Sequence, residues 1–392
     1  MSYTDRVKPY MDELVAIRRD IHAHPELGFE ETRTSDIVAR KLKEFGVDEV
    51  HTGIARTGVV GVVRGKGGSN RAIGLRADMD ALPIFEKTGL EYHSQTDGKM
   101  HACGHDGHTT MLLGAARYLA DHRNFDGTVY LIFQPAEEGR GGGKVMIEDG
   151  LFDRFNCETV YGMHNMPGLP LGAISMRPGP CMAAADEFRI LVKGRGGHGA
   201  MPNVSRDPVV IGSHIVTALQ SIASRRVDPI KEAVVSVTQF HAGDAFNVIP
   251  EEAELSGTCR TFMPDVRDLV ETELKRIATN VALAFDATAE VKYMRNYPPT
   301  VNTSDETEIA ALAARKVANE VSTTGEPKMG AEDFSYMLEE RPGCYIWLGN
   351  GMPGEKGGAN VHTPQYDFND DAIPYGVGYW ASLVETVLPK AA

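Results

Sequence analysis

Residues 128–139 read Thr-Val-Tyr-Leu-Ile-Phe-Gln-Pro-Ala-Glu-Glu-Gly, a mostly apolar run that ends in two adjacent carboxylates, Glu137 and Glu138. Short apolar runs bounded by turn residues are typical of strands that are buried on both faces. Open α/β sheets bind their ligands outside the carboxyl ends of the strands. We therefore predict a buried strand over Thr128–Phe133, with functional groups where it ends.

Similar apolar runs alternate with helical patterns in the rest of the first 185 residues and again near the end of the chain. Further strands are predicted over Gly58–Val63, Ala72–Ala77, Thr159–Met163 and Tyr345–Leu348. Apolar residues at helical spacing predict helices over residues 5–22, 32–45, 108–121, 305–320 and 374–388. This alternation predicts an α/β domain with a mainly parallel mixed sheet flanked by helices.

The pattern changes between residues 186 and 294, where apolar and polar residues alternate as in half-exposed strands. Four such strands are predicted over Phe188–Lys193, Val234–Phe240, Ala253–Phe262 and Ala289–Tyr293, with helices over 207–223 and 266–284. The order β-α-β-β-α-β is typical of a ferredoxin-like α+β sheet. We predict an inserted domain over 186–294, and a discontinuous first domain over 1–185 plus 295–392.

Composition excludes several classes of protein. The chain has 392 residues, with 42% hydrophobic and 24% charged residues, as in soluble globular proteins of two or three domains. The formal net charge of −14 disfavours a nucleic-acid partner. The N-terminal segment lacks the apolar run of a signal peptide, and the five cysteines form no CxxC pair. We therefore expect a cytoplasmic protein without a membrane partner.

Metal-binding residue types are concentrated in His101-Ala-Cys-Gly-His-Asp-Gly-His108. Thiolate and imidazole groups are the donors that metal sites use, whereas a surface loop has no structural need for so many. The alternative is a helix N-terminus with polar caps. Asp78 and Asp80 follow one predicted strand and His164 follows another, so further donors are expected at the same sheet edge.

Glu137 and Glu138 are expected to have different roles, since neighbouring side chains of a regular strand do not point to one metal ion. One carboxylate can bind the metal while the other accepts a proton from water that the metal has acidified. The alternative is a solvated acidic turn. The sequence favours a metal-dependent hydrolytic site.

Eight motifs occur in order along nearly the whole chain: His24–Glu30, Ala77–Pro83, His101–His108, Gln134–Gly139, Gly196–Pro202, Asn247–Pro250, Gly330–Phe334 and Asn360–Pro364. Together they resemble the metal-dependent amidohydrolases that comprise hippurate hydrolases, N-acyl-amino-acid amidohydrolases (aminoacylases) and auxin-conjugate (IAA-amino acid) hydrolases. These enzymes are distant relatives of carboxypeptidase G.

The resemblance implies two divalent metal ions per subunit, held by the five residues Cys103, His105, Glu138, His164 and His362. It assigns the general acid/base role to Glu137. Asp80 resembles a carboxylate that orients a ligand imidazole, and Asp78 is also placed outside the metal ligands. Zinc, manganese, cobalt and nickel all suit such donors, so the metal stays open.

The resemblance also gives roles to three residues of the inserted domain. In relatives, the histidine that matches His198 comes from the lid domain of the partner subunit and stabilises the oxyanion, so His198 is a predicted catalytic residue and a dimer or a dimer-based tetramer is expected. Asn247 and Arg260 resemble groups that hold the substrate carboxylate. The alternatives are a turn residue for His198 and a surface ion pair for Arg260.

The expected reaction is hydrolysis of the amide bond of a small N-acyl amino acid, of the hippurate or N-acetyl type, to a carboxylic acid and a free amino acid. Two other functions are considered. One is a dipeptidase or carboxypeptidase of the same family, because a peptide is also an N-acyl amino acid. The other is a catalytically silent metal-binding oligomer, which the presence of both Glu137 and Glu138 disfavours.

Overall fold

The computed structural model describes residues 2–390. The strands are β1 Glu49–Ile54, β2 Gly58–Arg64, β3 Ala72–Asp78, β4 Thr128–Gln134, β5 Thr159–Pro167, β6 Ala173–Ser175, β7 Gly179–Met182, β8 Ala184–Lys193, β9 Gly197–His198, β10 Ala233–His241, β11 Val248–Ile249, β12 Glu252–Thr261, β13 Thr288–Arg295, β14 Thr300–Asn302, β15 Glu320–Ser322 and β16 Gly343–Gly351. The helices are α1 Tyr3–Val7, α2 Met11–Ala23, α3 Thr32–Glu44, α4 His105–His122, α5 Glu137–Arg140, α6 Gly142–Glu148, α7 Leu151–Arg154, α8 Pro208–Leu219, α9 Pro264–Ala284, α10 Ser304–Ala314, α11 Phe334–Glu340 and α12 Ile373–Val387.

The chain divides into two compact units. The first consists of Met1–Gly179, Val301–Glu326 and Asp333–Ala392, and the second consists of Pro180–Thr300 and Pro327–Glu332. The second unit therefore starts six residues before the predicted inserted domain and also includes a short segment that follows it much later in the chain.

The first unit contains a sheet of eight strands in the order β1-β2-β4-β3-β5-β16-β6-β15. The four central strands β4, β3, β5 and β16 run parallel to one another. Antiparallel pairs flank them, formed by β1 with β2, β2 with β4 and β6 with β16. Strands β3 and β16 are buried throughout, as expected for parallel strands that are covered on both faces, and the antiparallel strand β2 is buried except at Arg64. This confirms the predicted mainly parallel mixed sheet.

Helix α4 is the central helix of the first unit. It packs against β3, α2 and α12, and nearly all of its residues are buried. A helix that is enclosed on all sides needs no polar stripe, which explains the run of Met, Leu and Ala residues in its sequence. The helix begins at His105 rather than at residue 108, so its first turn includes two histidines of the motif.

The second unit has a four-stranded antiparallel sheet in the order β10-β12-β8-β13, with α8 and α9 in the connections. This is the ferredoxin-like order that the sequence predicts. Alternate residues of β8 and β12 are buried, and those side chains form one core with the apolar faces of α8 and α9.

Across residues 2–390, none of the helices combines the length and the apolar character that crossing a membrane requires.

Candidate metal centre

The turn before helix α4 positions the first two predicted ligands. Gly104 has a φ of 96°, and a Cβ at this position would collide with the side-chain amide of Asn165. Only glycine fits both the left-handed backbone and the lack of space. The turn thus lets Cys103 and His105, on either side of Gly104, approach the same side chain, since both have ligand atoms within 4.8 Å of His164.

The five predicted metal ligands come together, although they lie between positions 103 and 362 of the chain. Cys103 Sγ lies 3.3 Å from His164 Nε2, and Glu138 Oε1 lies 3.1 Å from His362 Nε2. The distance from His105 Nε2 to Glu138 Oε1 is 4.0 Å. Cys103 belongs to two groups of three donors, one with His105 and His164 and one with Glu138 and His362. We call these five residues the open cluster.

Two atoms of the open cluster are buried without a hydrogen-bond partner within residues 2–390: His105 Nε2 and Glu138 Oε1. Buried polar atoms in proteins are normally paired, so two adjacent unpaired ones call for an explanation. Both are the lone-pair atoms through which imidazole and carboxylate bind a metal ion. Together with a thiol and two further imidazoles, they form a donor set that fits divalent metals.

The electrostatics of the open cluster also favour a cation. Burial raises the pKa of Cys103, and the nearby carboxylates of Glu138, Glu137 and Asp78 raise it further. Burial lowers the pKa of His164, as does the adjacent His108 ring, so the His164 imidazole is held neutral. Neutral imidazole is the form that binds metals.

Asp78, the last residue of β3, is engaged by three side chains. Its Oδ2 accepts a hydrogen bond from Arg76 Nη1 at 2.8 Å, and its Oδ1 lies 2.6 Å from His108 Nδ1. Because His108 Nε2 accepts from the backbone N–H of Asn165 at 2.9 Å, His108 Nδ1 carries the proton. Asp78 Oδ2 is also 3.7 Å from His105 Nε2. Both His108 nitrogens are thus already hydrogen bonded.

Asp80 contacts His105 and the two adjacent glutamates. His105 Nδ1 is 2.8 Å from the backbone oxygen of Asp80 and 3.3 Å from its Oδ1. The carboxylate of Asp80 accepts the backbone N–H groups of Glu137 and Glu138, each at 3.0 Å. Asp80 therefore holds the opposite side of the His105 ring from the unpaired Nε2.

Glu137 and Glu138 lie in an irregular turn after β4. Ala136 has a left-handed φ of 55°, and Glu138 leaves helical geometry with a ψ of 84°. Glu137 is buried, and its Oε1 is 3.4 Å from the backbone N–H of Asp333. One carboxylate oxygen each from Glu137 and Glu138 lies within 4.8 Å of a His105 nitrogen. The two glutamates therefore have different surroundings beside one imidazole.

His164 lies inside strand β5 rather than after it, because β5 extends to Pro167 and not to the predicted Met163. Its parallel neighbour β16 pairs with it through this region, with Trp347 opposite His164. The pairing lengthens the strand beyond the apolar run that marks it in the sequence.

The predicted site residues of the second unit lie on its surface or along its sheet. His198 and Asn247 are exposed and close together, since His198 pairs with Val248 and the N–H of Gly199 donates to Asn247 O at 2.7 Å. His198 Nδ1 accepts the N–H of Ala200. Arg260 lies on β12, and its guanidinium donates to Thr258 Oγ1 and Cys259 O.

The model of peptidase family M20/M25/M40 matches residues 74–386. The chain belongs to this family. An M20/M25/M40 relative, the hippurate hydrolase of Campylobacter jejuni, is 43% identical, over 98% of both chains. Thermostable carboxypeptidase 1 of Saccharolobus solfataricus is 40% identical, over 94% of both. A solved structure, a dinuclear metal binding peptidase of the M20 family from Bacillus subtilis, has a TM-score of 0.86 at 35% identity, covering 98% of this chain and 100% of that one.

Membership in family M20/M25/M40 confirms the predicted class of enzyme, a metal-dependent amidohydrolase.

Several residues around the open cluster were not predicted. Asn165 donates to Cys103 O at 2.6 Å and accepts from the Tyr366 hydroxyl at 2.8 Å. Glu31 accepts the N–H of Ala136. Asn165 directly follows His164 and Glu31 directly follows the first motif, which is the only local signal for either.

Proposed function

We propose that this enzyme hydrolyses the amide bond of N-acyl amino acids, releasing a carboxylic acid and a free amino acid. The observation that carries the proposal is the pair Glu137 and Glu138. Glu138 Oε1 forms no hydrogen bond among residues 2–390 and belongs to the open cluster, and Glu137 lies beside it, buried but not among the five ligands. A site that only bound metal would have no use for the second carboxylate.

The roles follow from these positions. Divalent ions, when bound by the open cluster, would polarise the acyl carbonyl and lower the pKa of water. Glu137 then accepts a proton on a carboxylate oxygen from the attacking water and delivers it to the leaving amide nitrogen. The N–H of Asp333 at Glu137 Oε1 limits the rotation of this carboxylate.

Two ions per subunit are part of the proposal, because the donors form two groups of three, Cys103 with His105 and His164 and Cys103 with Glu138 and His362, and each group could hold one ion. The name of the Bacillus subtilis relative, a dinuclear metal binding peptidase, agrees with this number. Thiolate and imidazole favour zinc, whereas manganese, cobalt and nickel also accept a set that includes carboxylates.

The experiment that tests the function compares wild type with Glu137→Gln on hippurate and on N-acetylmethionine, with metal content measured for each protein. Glutamine cannot accept the proton, so kcat should fall by about 10³-fold or more. Metal content should stay the same, because Glu137 is not a proposed ligand. The control Glu138→Gln should instead lose metal. An active Glu137→Gln enzyme would end the proposal.

A second candidate activity is that of a carboxypeptidase, which the similarity to the Saccharolobus enzyme favours. The chemistry is the same, and only the acyl group differs. A panel that pairs each N-acetyl or N-benzoyl amino acid with the dipeptide of the same C-terminal residue separates the two. Higher kcat/KM for the dipeptides would assign the enzyme to peptides.

The proposal includes a homodimer, or a tetramer built from dimers, in which His198 acts on the site of the partner subunit. The second unit carries exposed apolar side chains on α8 and near His198, namely Val209, Val210, Phe246 and Val248. Apolar side chains in such number are typical of an interaction surface. Asn247, next to His198, and Arg260 are proposed to bind the substrate carboxylate.

Mixing two inactive variants tests this arrangement. His198→Ala should lower kcat by about 10²-fold if its imidazole stabilises the oxyanion. Mixed dimers of His198→Ala and Glu137→Gln would hold one intact site each and should recover about a quarter of the wild-type activity, because half of the dimers are mixed. No recovery after verified subunit exchange would place His198 outside the partner's site.

We also propose a reducing, cytoplasmic location. All five cysteines are buried and outside any disulfide, and Cys103 can bind a metal only as a reduced thiolate.

A further inference from the structure

Three successive backbone N–H groups, those of Ala136, Glu137 and Glu138, donate to buried carboxylates. Asp80 accepts two of them, as described above. The third, from Ala136, donates to Glu31 Oε1 at 2.8 Å. Glu31 is completely buried, and it lies on a different segment of the chain from every residue so far given a role. The turn that carries Glu137, the proposed proton acceptor, is therefore held by hydrogen bonds to two carboxylates, those of Asp80 and Glu31.

Ala136 is the residue of this turn whose backbone conformation most needs to be stabilised by its surroundings. Its φ of 55° is left-handed, which costs a residue with a Cβ about 1 kcal/mol and persists only where the surroundings impose it. A change of Ala136 to an ordinary backbone conformation would redirect the chain at the next residue, Glu137. A hydrogen bond to the N–H of Ala136 opposes that change.

The surroundings hold Glu31 itself in one orientation. Thr57 Oγ1 donates to Glu31 Oε2 at 2.7 Å, so each carboxylate oxygen has its own partner. The backbone of Gly28 passes so close to the turn that an added Cβ would lie 3.0 Å from the Ala136 Cα. Arg140 Nη1 also donates to Gly28 O. The segment with Glu31 thus packs directly on the turn.

Burial of the Glu31 carboxylate has a cost in stability. Burial raises the pKa of Glu31 to about 7, and the nearby charge of Asp80 adds to the effect. Such a shift means that the fold disfavours the ionised group.

We propose that Glu31 is a positioning residue, whose hydrogen bond to the Ala136 N–H fixes the left-handed turn and thereby the direction of the Glu137 side chain. The inference rests on the proposed role of Glu137 for its catalytic consequence. The structural part, that Glu31 holds the turn, does not depend on any activity.

Two substitutions of Glu31 separate the effect of side-chain length from the effect of charge. Glu31→Gln removes the charge but keeps the length, since its amide oxygen can accept from Ala136 and its NH₂ can donate to Thr57. Glu31→Asp keeps the charge but is one methylene too short to reach both partners. Thr57→Val is a milder variant that frees one carboxylate oxygen and leaves the contact to Ala136.

The first measurement is hydrogen exchange of the amides of residues 136–138 in metal-free protein. We expect Glu31→Asp to exchange about 10-fold faster than wild type or more, Glu31→Gln to stay within about 3-fold, and Thr57→Val to lie between them. Hydrogen exchange of the amides in a distant segment such as β16 is the internal control for a general loss of stability.

The second measurement is kcat and KM at saturating metal. A small misplacement of a catalytic group costs up to about 100-fold, so Glu31→Asp should lose about 10- to 100-fold in kcat with KM within about 3-fold. Glu31→Gln should rescue most of this loss. If Glu31→Asp does not fold, the comparison of Thr57→Val with Glu31→Gln replaces it. The measured quantity is again the hydrogen exchange of the amides of residues 136–138.

Three results would overturn the inference. They are unchanged exchange at 136–138 in both Glu31→Asp and Thr57→Val, an equal loss in Glu31→Gln and Glu31→Asp, and faster exchange throughout the protein rather than in the turn. If wild type hydrolysed no N-acyl amino acid, the proposed function would fail, whereas the exchange results would still decide the role of Glu31.

Discussion

His105 and Asp106 are buried neighbours at the start of helix α4, yet they belong to two clusters of different composition. His105 is part of the open cluster, in which two atoms of the kind that bind metal ions, His105 Nε2 and Glu138 Oε1, are buried without a hydrogen-bond partner among residues 2–390. Asp106 is part of a second group, which we call the closed cluster: Arg18, His22, Glu86, Asp106, Asp367 and Asp370. In the closed cluster every carboxylate is paired with Arg18 or His22.

The difference shows what each cluster needs in order to be stable. The closed cluster supplies its own cationic partners for its carboxylates: His22 lies between Asp106 at 2.8 Å and Glu86 at 3.4 Å, and Arg18 Nε donates to Asp370 at 2.7 Å. The open cluster has a carboxylate, a thiol and imidazoles but no Lys or Arg among its five members. We expect the open cluster to require an external cation and the closed cluster to stabilise the fold without one.

Removal of metal should have the largest effect and should affect the open cluster alone. Dialysis against a chelator is expected to lower kcat by about 10³-fold or more, because the metal supplies both carbonyl polarisation and acidified water. The far-UV circular dichroism should stay native, since the closed cluster and the core do not depend on the ion. Activity should return when zinc, manganese, cobalt or nickel is added. Unfolding on chelation would show that the two clusters are not independent.

The closed cluster should be tested through His22 and pH. Although burial opposes the charged ring, the hydrogen bonds to Asp106 and Glu86 raise the pKa of His22 from 6.5 to about 9. Because the folded-state pKa is the higher one, protonation stabilises the fold fully below pH 6.5, and this contribution is lost as the pH rises through 9. A shift of this size corresponds to about 3 kcal/mol.

Urea denaturation of wild type and His22→Gln at pH 6 and pH 9.5 measures that contribution. The free energy of unfolding of the variant should be lower at pH 6, and the difference from wild type should shrink by about 3 kcal/mol at pH 9.5. Metal content should match wild type at both pH values. A difference that does not change with pH would mean that His22 is neutral in the fold.

The two clusters also differ in how far the sequence predicts them. The open cluster is easier to predict because Cys103 and His105 lie in one motif and Glu138 lies four residues after the end of strand β4. His22 lies at the end of a predicted helix, and its partners Asp106 and Glu86 are 84 and 64 residues away. No local pattern indicates a pair at such separation. His362 was predicted from the family resemblance alone.

The fold shows the same division between local and distant information. Strands β2, β3, β4 and β16 are predicted because their burial makes them continuously apolar. Strand β1 was missed, because it lies at the sheet edge, is half exposed and contains His51 and Thr52 among its few apolar residues. The three-residue strands β6 and β15 form only through their neighbours in the sheet. The position of Glu31 beside Ala136 is likewise a product of the tertiary fold.

A smaller effect is expected when one ligand of the open cluster is weakened. In Cys103→Ser the hydroxyl replaces a soft thiolate that is shared by both groups of donors, so metal affinity should fall by about 10- to 100-fold. Competition with a chromophoric chelator measures this affinity. Cys344→Ser, at a buried cysteine in β16, is the matched control and should bind metal as wild type does. Equal affinity in Cys103→Ser and wild type would remove Cys103 from the ligands.

The smallest effect is expected at His101, which the motif places next to both clusters but which belongs to neither. Within the part of the chain that the structure describes, neither of its buried ring nitrogens has a hydrogen-bond partner. Its ring lies 6.4 Å from that of His22, and it shares no group of metal donors. An apolar side chain of similar size in place of His101 loses no hydrogen bond, so the replacement should affect neither cluster.

His101→Leu should therefore change the free energy of unfolding at pH 7.5 by no more than about 1 kcal/mol, with metal content and kcat close to wild type. Urea denaturation, metal analysis and hippurate hydrolysis check the three quantities in one preparation. A loss of metal would make His101 a sixth member of the open cluster, since its imidazole would then have to hold a ligand or an ion. A loss of stability that equals that of His22→Gln would instead join it to the closed cluster.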